Sequence, residues 1–355
     1  MKLFVYSMRE YDELAFFEKF CGEYGVEFGY TTQTPCLENV ELAKGYDVVD
    51  IITTIMDKPM IDAFHAAGIR CISSRTIGYD HIDTEYCREA GIAWTNAPGC
   101  NSASVAQYVQ SALLLLQQLK GVQLSELTLG IIGVGNVGSK IAQVGQELGM
   151  RVLKNDLPRQ DKEGESDFSS LQALAAECDI LTFHVPLYKE GPYKTFHLAD
   201  HTFFRSLKRC PVIINTSRGE VIETNALLNA LEDGLISDAI IDVWEHEPEI
   251  KRELLDKVFI GTPHIAGYSA DGKANATRMS LDAICKFFQI EADYKINAPA
   301  PASPIIHAKN HEEAILQIYN PVEDSTRLKN QPEQFETLRG DYPLRREETA
   351  YLIKY

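Results

Sequence analysis

The sequence has 355 residues, 45% of them hydrophobic, and a formal net charge of −17 at pH 7. This length fits two domains, and the hydrophobic content is typical of a globular protein. The negative charge repels phosphate backbones and argues against a nucleic-acid partner, and the longest apolar run, 112–116, is too short to span a membrane.

The N-terminal stretch MKLFVYSMREY is apolar for only a few residues, which predicts a first strand rather than a secretory signal. The eight cysteines of the sequence are scattered and form neither a CxxC pair nor a Cys/His cluster. The sequence therefore predicts no metal site and a reducing, cytoplasmic setting.

The first hundred residues alternate between apolar strand-like runs and segments of helical period. Strands are predicted at 2–7, 26–30, 46–54, 69–75 and 92–96. The segments between them, such as 12–25 and 58–68, have helical spacing and end in glycine. Such an alternation predicts a parallel sheet.

A long apolar helix is predicted over 103–119, with Asn101 or Ser102 as its cap, and it suits a crossover between domains. From 128 the strand–helix rhythm restarts, and a last helix is predicted to end near 290. The stretch 296–304 reads as a Pro/Ala linker, and 310–355 has few apolar residues, which suggests an appendage that packs on something else. Further strands are predicted at 151–155, 179–187, 211–217, 238–244 and 258–265.

The stretch GIIGVGNVG contains the G-x-G-x-x-G pattern at Gly133, Gly135 and Gly138. It follows an apolar strand, opens a helix and precedes a second strand that ends in Asp156, which is the context of a dinucleotide-binding turn. The N–H groups of the helix N-terminus suit the pyrophosphate. Asp156 can accept hydrogen bonds from ribose hydroxyls and would repel a 2′-phosphate, which favours NAD, although Arg159 lies close by.

Ionisable side chains follow three predicted strands of this second half. Arg218 comes just after one strand, and His264 comes just after another, within GTPHIAGYS. Between them, Glu245 and Glu247 follow a third strand, and both are candidates to orient the imidazole. Because parallel strands bring their carboxyl ends to one edge of the sheet, we expect a cation, a carboxylate and an acid/base to meet there.

The segments INTSRG, DVWEHEP and TPHIAG occur in the order and spacing of three motifs, N-x-S-R-G, D-V-x-x-x-E-P and T-P-H-x-x-G. On these motifs the sequence resembles the D-isomer-specific 2-hydroxyacid dehydrogenases. The resemblance implies that Arg218 binds substrate, Glu247 orients the imidazole and His264 donates or accepts the proton. A carboxylate beside an imidazole favours the imidazolium form, which suits protonation of a developing alkoxide.

The resemblance also implies an α/β fold of two Rossmann-like parallel-sheet domains with a short C-terminal extension. The expected parts are a flavodoxin-like substrate domain (1–98, joined by the helix near 275–290), an NAD-binding domain (99–274) and an extension (296–355) that serves as a dimerisation segment. A homodimer is expected. The NAD site is expected at Gly133, Gly135, Asn136, Val137, Gly138, Asp156, Val185, Thr216, Ser217, Asp242 and Gly267.

The two halves of the sequence resemble different members of this family. Residues 95–355 are closer to members that act on a phosphorylated sugar acid of vitamin B6 synthesis, and there Tyr268 would reach the substrate. Those members hold the phosphate with an Arg-Ser pair, where this sequence has Thr53 and Thr54. The stretch 72–85 instead resembles D-lactate-type members, in which the corresponding turn presents its backbone to the substrate. The predicted substrate residues are Thr54, Arg75, Thr76, Ile77, Gly78 and Tyr268.

Three functions remain open from the sequence. The first is an NAD-dependent dehydrogenase, with either a phosphorylated or an unphosphorylated 2-hydroxy acid as substrate. The second is an NAD(H)-sensing binding protein of corepressor type, since this fold also serves that purpose. The third is a structural oligomer subunit, which leaves the nucleotide motif unexplained. The intact Arg218, Glu247 and His264 favour the enzyme. The side chain of Arg75 is expected to steer an anionic substrate or to form a surface salt bridge.

Overall fold

The computed structural model describes residues 1–164 and 166–355. Its strands are β1 (Lys2–Val5), β2 (Glu27–Tyr30), β3 (Val48–Ile51), β4 (Cys71–Ser74), β5 (Ala93–Thr95), β6 (Thr128–Ile132), β7 (Arg151–Asn155), β8 (Ile180–Phe183), β9 (Val212–Asn215), β10 (Asp238–Ile241), β11 (Ile260–Gly261), β12 (Ile305–His307) and β13 (Leu352–Lys354). Its helices are α1 (Leu14–Tyr24), α2 (Lys58–Ala67), α3 (Thr84–Glu89), α4 (Ser102–Lys120), α5 (Asn136–Glu147), α6 (Leu157–Glu163), α7 (Leu171–Glu177), α8 (His201–Ser206), α9 (Thr224–Glu232), α10 (Arg252–Lys257), α11 (Ala270–Phe288), α12 (His311–Ile318), α13 (Pro321–Asn330) and α14 (Phe335–Gly340).

The chain forms two compact units that are each built from two stretches of sequence. Unit 1 contains Met1–Asn101 and Ala270–Pro299, and unit 2 contains Ser102–Ser269 and Ala300–Tyr355. The boundaries predicted from the sequence lie at 98/99 and 274/275, with 296–355 as a separate extension. In the structure most of that extension belongs to unit 2, and α11 belongs wholly to unit 1.

Unit 1 has a five-stranded parallel sheet in the order β2-β1-β3-β4-β5. This is the flavodoxin-like strand order. The local sequence accounts for the element ends: Asp57 caps α2 by accepting a hydrogen bond from the Met60 N–H, and Gly68 ends the helix at a φ of 100°. Both β3 and β4 are buried along their whole length, as expected for central strands of a parallel sheet, although β3 contains Asp50 and β4 ends in Ser73 and Ser74.

Unit 2 has a six-stranded parallel sheet in the order β11-β10-β9-β8-β6-β7. The chain leaves β6 towards β7 on one side and reaches β8 on the other, so the strand order reverses between β6 and β8. In open parallel sheets, ligands bind at the carboxyl ends of strands beside such a reversal. The α/β fold of two Rossmann-like parallel-sheet units is therefore confirmed.

The C-terminal extension completes the hydrophobic core of unit 2. Ile315 and Tyr319 pack in the cluster that contains α4, and Leu328 and Phe335 pack in the cluster around β8 and β9. Its own strands, β12 and β13, pair in parallel. Through these four buried side chains the extension packs on the core of unit 2.

None of the helices in the described part of the chain has the length and apolar character that a bilayer crossing requires.

Candidate active site

The glycines of the nucleotide motif have three different steric environments. Gly133 has a φ of 87°, and a Cβ on it would lie 2.6 Å from the carbonyl oxygen of His184. A Cβ on Gly138 would collide with the carbonyl oxygen of Gly133. At Gly135, by contrast, a Cβ would meet no atom within 4 Å. The first and third glycines therefore permit the tight turn, and Gly135 borders open space where α5 begins at Asn136.

This open space suits the pyrophosphate of a dinucleotide. The first N–H groups of α5 point along the helix axis with partial positive charge. Val137, which follows Asn136 on α5, and Val185, which follows β8, are partly buried in the two hydrophobic clusters of unit 2. The turn therefore fits the cofactor that the sequence analysis predicted.

Asp156 connects the turn to the end of β7. Its carboxylate accepts hydrogen bonds from the Val134 N–H at 2.8 Å and from the Arg159 N–H at 3.1 Å, and it caps α6. The Arg159 guanidinium donates to the Val134 carbonyl at 2.7 Å and to Glu163 at 2.7 Å and 2.8 Å. Because these partners already engage Arg159, the cation that would suit a 2′-phosphate is paired, which favours NAD.

The loop after β9 is organised by Asn215. Its side-chain oxygen accepts hydrogen bonds from the Ser217 N–H at 3.1 Å and the Ser217 hydroxyl at 2.8 Å, and its amide donates to the Arg218 carbonyl at 2.9 Å. Thr216 lies 3.2 Å from Nδ1 of His184, and burial lowers the pKa of His184 to about 3. His184 is therefore a neutral packing group here.

Arg218 follows the carboxyl end of β9 and directly precedes a short 3-10 helix, Gly219–Val221. One of its terminal nitrogens donates to the Ser217 carbonyl at 2.8 Å. The next residue is Gly219, and a Cβ at this position would collide with the backbone of Trp244. The glycine thus allows the Arg218 loop and the loop after β10 to approach closely.

His264 and Glu247 form a hydrogen-bonded pair, with His264 Nδ1 2.8 Å from a carboxylate oxygen of Glu247. The other Glu247 oxygen accepts the Trp244 N–H at 2.8 Å. Burial acts to raise the pKa of Glu247, but the hydrogen bond and charge of His264 outweigh it and lower that pKa. Nε2 of His264 forms no hydrogen bond to any described residue, so the imidazole presents that nitrogen outwards.

The choice between the two glutamates is decided by their contacts. Glu245 accepts a hydrogen bond from the Thr224 N–H at 2.6 Å and lies 2.7 Å from Nε2 of His197. The carboxylate of Glu245 is therefore occupied by its contacts with Thr224 and His197. The sequence alone left Glu245 as a rival, and the structure assigns the contact with His264 to Glu247.

Asp242 holds the candidate catalytic loop, residues 262–269, from within the core. Its buried carboxylate accepts hydrogen bonds from the Thr262 hydroxyl at 2.6 Å, the Ile265 N–H at 2.8 Å and the Ala266 N–H at 3.0 Å. The Asp242 carbonyl accepts the His264 N–H at 2.8 Å, and His264 itself has a left-handed φ of 57°. The strand predicted over 258–265 is shorter in the structure, where β11 ends at Gly261. Contact of Asp242 with the nicotinamide stays a prediction.

The C-terminal extension also forms hydrogen bonds with this loop, and these contacts were not predicted from the sequence. Arg345 donates to the Ala266 carbonyl at 2.6 Å and to the Ser104 hydroxyl. Arg339 donates to the Tyr268 hydroxyl at 3.1 Å, and Glu347 accepts from the Ser269 hydroxyl at 2.9 Å. No local pattern points to these contacts; the one available signal was the density of arginine and glutamate in the tail.

In unit 1 the predicted substrate turn is held by its own polar atoms. The Thr76 hydroxyl donates to the Gly78 carbonyl at 2.7 Å, and Asn96 donates to the Ile77 carbonyl at 2.6 Å. Thr54, after β3, has a buried hydroxyl oxygen without a hydrogen-bond partner among the described residues. These positions remain candidates for substrate contact.

The interpretation of the Arg75 side chain was wrong. Its guanidinium is fully buried and forms ion pairs with Glu13 at 3.1 Å and Asp50 at 3.0 Å. It also donates to the carbonyls of Tyr6 and Ser7. A side chain with these partners neither steers a substrate nor forms a surface salt bridge. Only the backbone of Arg75 stays in the predicted substrate turn.

Within residues 1–164 and 166–355, no group of three or more His, Cys, Asp or Glu side chains is arranged to hold a metal ion.

Comparisons with known proteins agree with this geometry. Residues 102–266 match the family model described as D-isomer specific 2-hydroxyacid dehydrogenase, NAD binding domain. The erythronate-4-phosphate dehydrogenase of Bacteroides thetaiotaomicron is 72% identical over 292 residues, covering 82% of this chain and 84% of that protein.

Two solved structures resemble the chain over most of its length. D-2-hydroxyisocaproate dehydrogenase aligns with a TM-score of 0.68 and 27% identity, covering 81% of this chain and 97% of the other. The D-lactate dehydrogenase of Aquifex aeolicus, complexed with NAD and lactic acid, aligns with a TM-score of 0.66 and 26% identity, covering 81% and 95%.

Proposed function

The chain belongs to the D-isomer-specific 2-hydroxyacid dehydrogenases, NAD-dependent enzymes that act on a CH–OH group, and from this premise we propose that it oxidises 4-phospho-D-erythronate at the 2-hydroxyl. NAD, when bound, supplies the hydride acceptor. The observation that carries the proposal is the contact of Glu247 with Nδ1 of His264 at 2.8 Å. This pair lies in unit 2, the unit that also contains the nucleotide turn. The substrate is the one in the name of the relative that is 72% identical.

His264 acts as the general base of this oxidation. Its Nδ1 is held by Glu247, so the outward Nε2 is the nitrogen that takes the proton of the 2-hydroxyl as C2 loses its hydride. The Glu247 carboxylate stabilises the resulting imidazolium, and in the reverse direction the same imidazolium returns the proton to the alkoxide. Glu247 also fixes the ring orientation through its second contact, with the Trp244 N–H.

Arg218 binds the substrate carboxylate. A guanidinium at the end of a parallel strand suits a bidentate contact with two carboxylate oxygens, and such contacts fix orientation as well as charge. The Ser217 carbonyl holds one of its nitrogens at 2.8 Å, and the close approach at Gly219 fixes the start of its loop. In unit 1, the unpartnered hydroxyl of Thr54 and the backbone of the turn Arg75–Gly78 are the proposed substrate contacts.

We place the enzyme in the cytoplasm and its reaction in vitamin B6 (pyridoxine) synthesis. The eight cysteines, all within the described residues, are free thiols, which supports a reducing compartment.

We also propose a homodimer that forms through the C-terminal extension. The opposed residues Ile305 and Leu352 on β12 and β13 are 43% and 58% exposed, and Leu344 is 57% exposed. Apolar side chains exposed together on a small sheet are typical of an interface. Light scattering at micromolar concentration should give the mass of two chains for the wild type and of one chain for Leu352→Asp. A monomeric wild type would contradict the dimer.

The proposed substrate is tested by following NADH absorbance with purified protein. We expect turnover of 4-phospho-D-erythronate with NAD, and slow reduction of pyruvate and hydroxypyruvate with NADH. Turnover of the unphosphorylated acids alone would reassign the enzyme to the D-lactate type, which the absence of an arginine beside Thr53 and Thr54 favours. Tight NADH binding without turnover of any acid would instead support the NAD(H)-sensing protein.

A further inference from the structure

The C-terminal extension brings a guanidinium to the catalytic loop. Arg339, on α14, donates from Nε to the hydroxyl of Tyr268 at 3.1 Å, and its guanidinium carbon lies 5.9 Å from the centre of that ring. Tyr268 follows His264 by four residues in the same loop. The tyrosine ring also packs against Tyr342 of the extension, with ring centres 6.1 Å apart. Arg339 is therefore held near the catalytic pair by a hydrogen bond and ring packing.

Arg339 carries a positive charge and has N–H donors that the described residues do not use. It is partly buried, and burial acts to lower its pKa, but the nearby Tyr268 and Glu247 outweigh that effect and raise the pKa, so the guanidinium stays protonated. Only Nε is engaged: the two terminal nitrogens donate to none of the residues in 1–164 and 166–355. A half-desolvated guanidinium with an unused pair of N–H donors is the group that suits a phosphate.

A substrate with an anion at each end needs two cations. 4-Phospho-D-erythronate carries a carboxylate at C1 and a phosphate at C4, and Arg218 accounts for the carboxylate. In unit 1, the stretch after β3 reads Ile-Ile-Thr-Thr-Ile-Met-Asp and has no cation before Lys58. Arg75 is occupied in its buried ion pairs with Glu13 and Asp50. The phosphate therefore still lacks a partner at the positions where sequence reasoning looked for one.

We infer that Arg339 binds the phosphate of the substrate through its terminal nitrogens, with Tyr268 orienting the guanidinium. This inference rests on the proposed function, because it assumes a phosphorylated 2-hydroxy acid. It assigns the C-terminal extension a direct part in substrate recognition. It also explains why Arg339 leaves two donors unpaired beside a catalytic carboxylate.

The test compares phosphorylated and unphosphorylated substrates of the same skeleton. With Arg339→Gln we expect kcat/KM for 4-phospho-D-erythronate to fall about 10- to 100-fold, as for loss of a charged hydrogen-bonded pair. For D-erythronate we expect a change of less than about threefold, since no phosphate is present to lose the contact. Arg339→Lys should recover part of the loss because it keeps the charge. Arg252→Gln, which removes an exposed arginine paired with Asp256 on α10, is the matched control.

A structural role for Arg339 would give a different pattern. If the residue served only to position Tyr268, Arg339→Gln and Tyr268→Phe would impair both substrates equally, and the inference would be overturned. Equal kcat/KM in Arg339→Gln and wild type would overturn it as well.

A binding measurement separates this inference from the proposed function. If the wild type turns over no phosphorylated acid, the proposed function fails by itself. Inorganic phosphate is then titrated calorimetrically into the NADH-saturated protein. Phosphate binding by the wild type that is lost in Arg339→Gln supports an anion site at Arg339. Absence of binding by the wild type, or equal binding by both, overturns it.

Discussion

At the scale of single residues, the position of His264 follows from contacts on both sides of its loop. Its N–H is held by the Asp242 carbonyl at 2.8 Å, and its Nδ1 is held by Glu247 at 2.8 Å. Its left-handed φ of 57° is an uncommon conformation for a residue other than glycine. The surrounding hydrogen bonds thus maintain a conformation that the local sequence does not favour, and they direct Nε2 outwards.

Replacing His264 with asparagine removes the proton acceptor and keeps a polar side chain of similar size. We expect kcat to fall about 10²- to 10⁴-fold, which is the usual contribution of general acid–base catalysis. NADH affinity should stay within about twofold, because the nucleotide turn is built by other residues. Steady-state kinetics and fluorescence titration of NADH measure the two effects. A variant with near-normal kcat would remove His264 from the proposed mechanism.

Glu247→Gln tests the ion pair through the pH dependence of stability. The pKa of Glu247 in the folded protein is below the ordinary value of 4.5, so its stabilising contribution is present above that value and is lost as pH falls through the lowered pKa. We expect the variant to be less stable than wild type by on the order of 1 kcal/mol at neutral pH. The difference should shrink as pH falls below 4.5 in urea unfolding experiments. A difference that is independent of pH would contradict this account.

At the scale of elements, unit 1 is held together by a buried charge network that joins its sheet to helices far along the chain. Arg75 follows β4, and it pairs with Asp50 on β3 and with Glu13, which directly precedes α1. Asp50 also accepts the Ser280 hydroxyl of α11 at 2.6 Å, and Glu13 accepts the Thr277 hydroxyl at 3.1 Å. The network thereby fixes α11 against strands that precede it by about two hundred residues.

Arg75→Met should destabilise unit 1 strongly, because it leaves the buried carboxylate of Asp50 without its cation and removes one of the two cations, Arg9 and Arg75, that pair with Glu13. Breaking a buried pair by removing one partner costs about 3–5 kcal/mol. Arg70→Gln is the matched control, since Arg70 forms an exposed ion pair with Asp47 at 2.7 Å, and such pairs contribute about 0–1 kcal/mol. Guanidinium unfolding followed by fluorescence compares the two. Equal effects would mean that the network does not stabilise the fold.

At the scale of the whole molecule, the C-terminal extension has two roles within unit 2. Its buried side chains fill both hydrophobic clusters, and its polar side chains hold the catalytic loop through Ala266, Tyr268 and Ser269. Core packing and loop position therefore depend on the same segment. The extension is a structural part of the unit that carries Glu247 and His264.

Phe335→Ala tests whether the extension contributes to the core. Phe335 is 1% exposed, and truncation of a buried phenylalanine costs about 3–5 kcal/mol. Leu119→Ala, at a 57% exposed position of α4, should change stability by less than about 0.5 kcal/mol. Thermal and denaturant unfolding measure both. An unfolding midpoint for Phe335→Ala equal to that of wild type would show that the extension folds independently.

The sequence by itself determined the features that depend on neighbouring residues. Period and glycine placement predicted the two parallel sheets, and the strand–turn–helix context identified the nucleotide turn at Gly133, Gly135 and Gly138. The order of three motifs, compared with a known family, predicted Arg218, Glu247 and His264 as site residues, and the spacing alone left Glu245 as a rival of Glu247.

Only the tertiary structure decided the features that depend on residues far apart in the chain. It showed that Glu247 contacts His264 at 2.8 Å, that Arg75 is buried between Glu13 and Asp50, and that Arg339 meets Tyr268 at 3.1 Å. The physical reason is that the partners of a charged side chain are set by which elements pack together. Local periodicity carries no information about such contacts, which join residues from 17 to 71 positions apart.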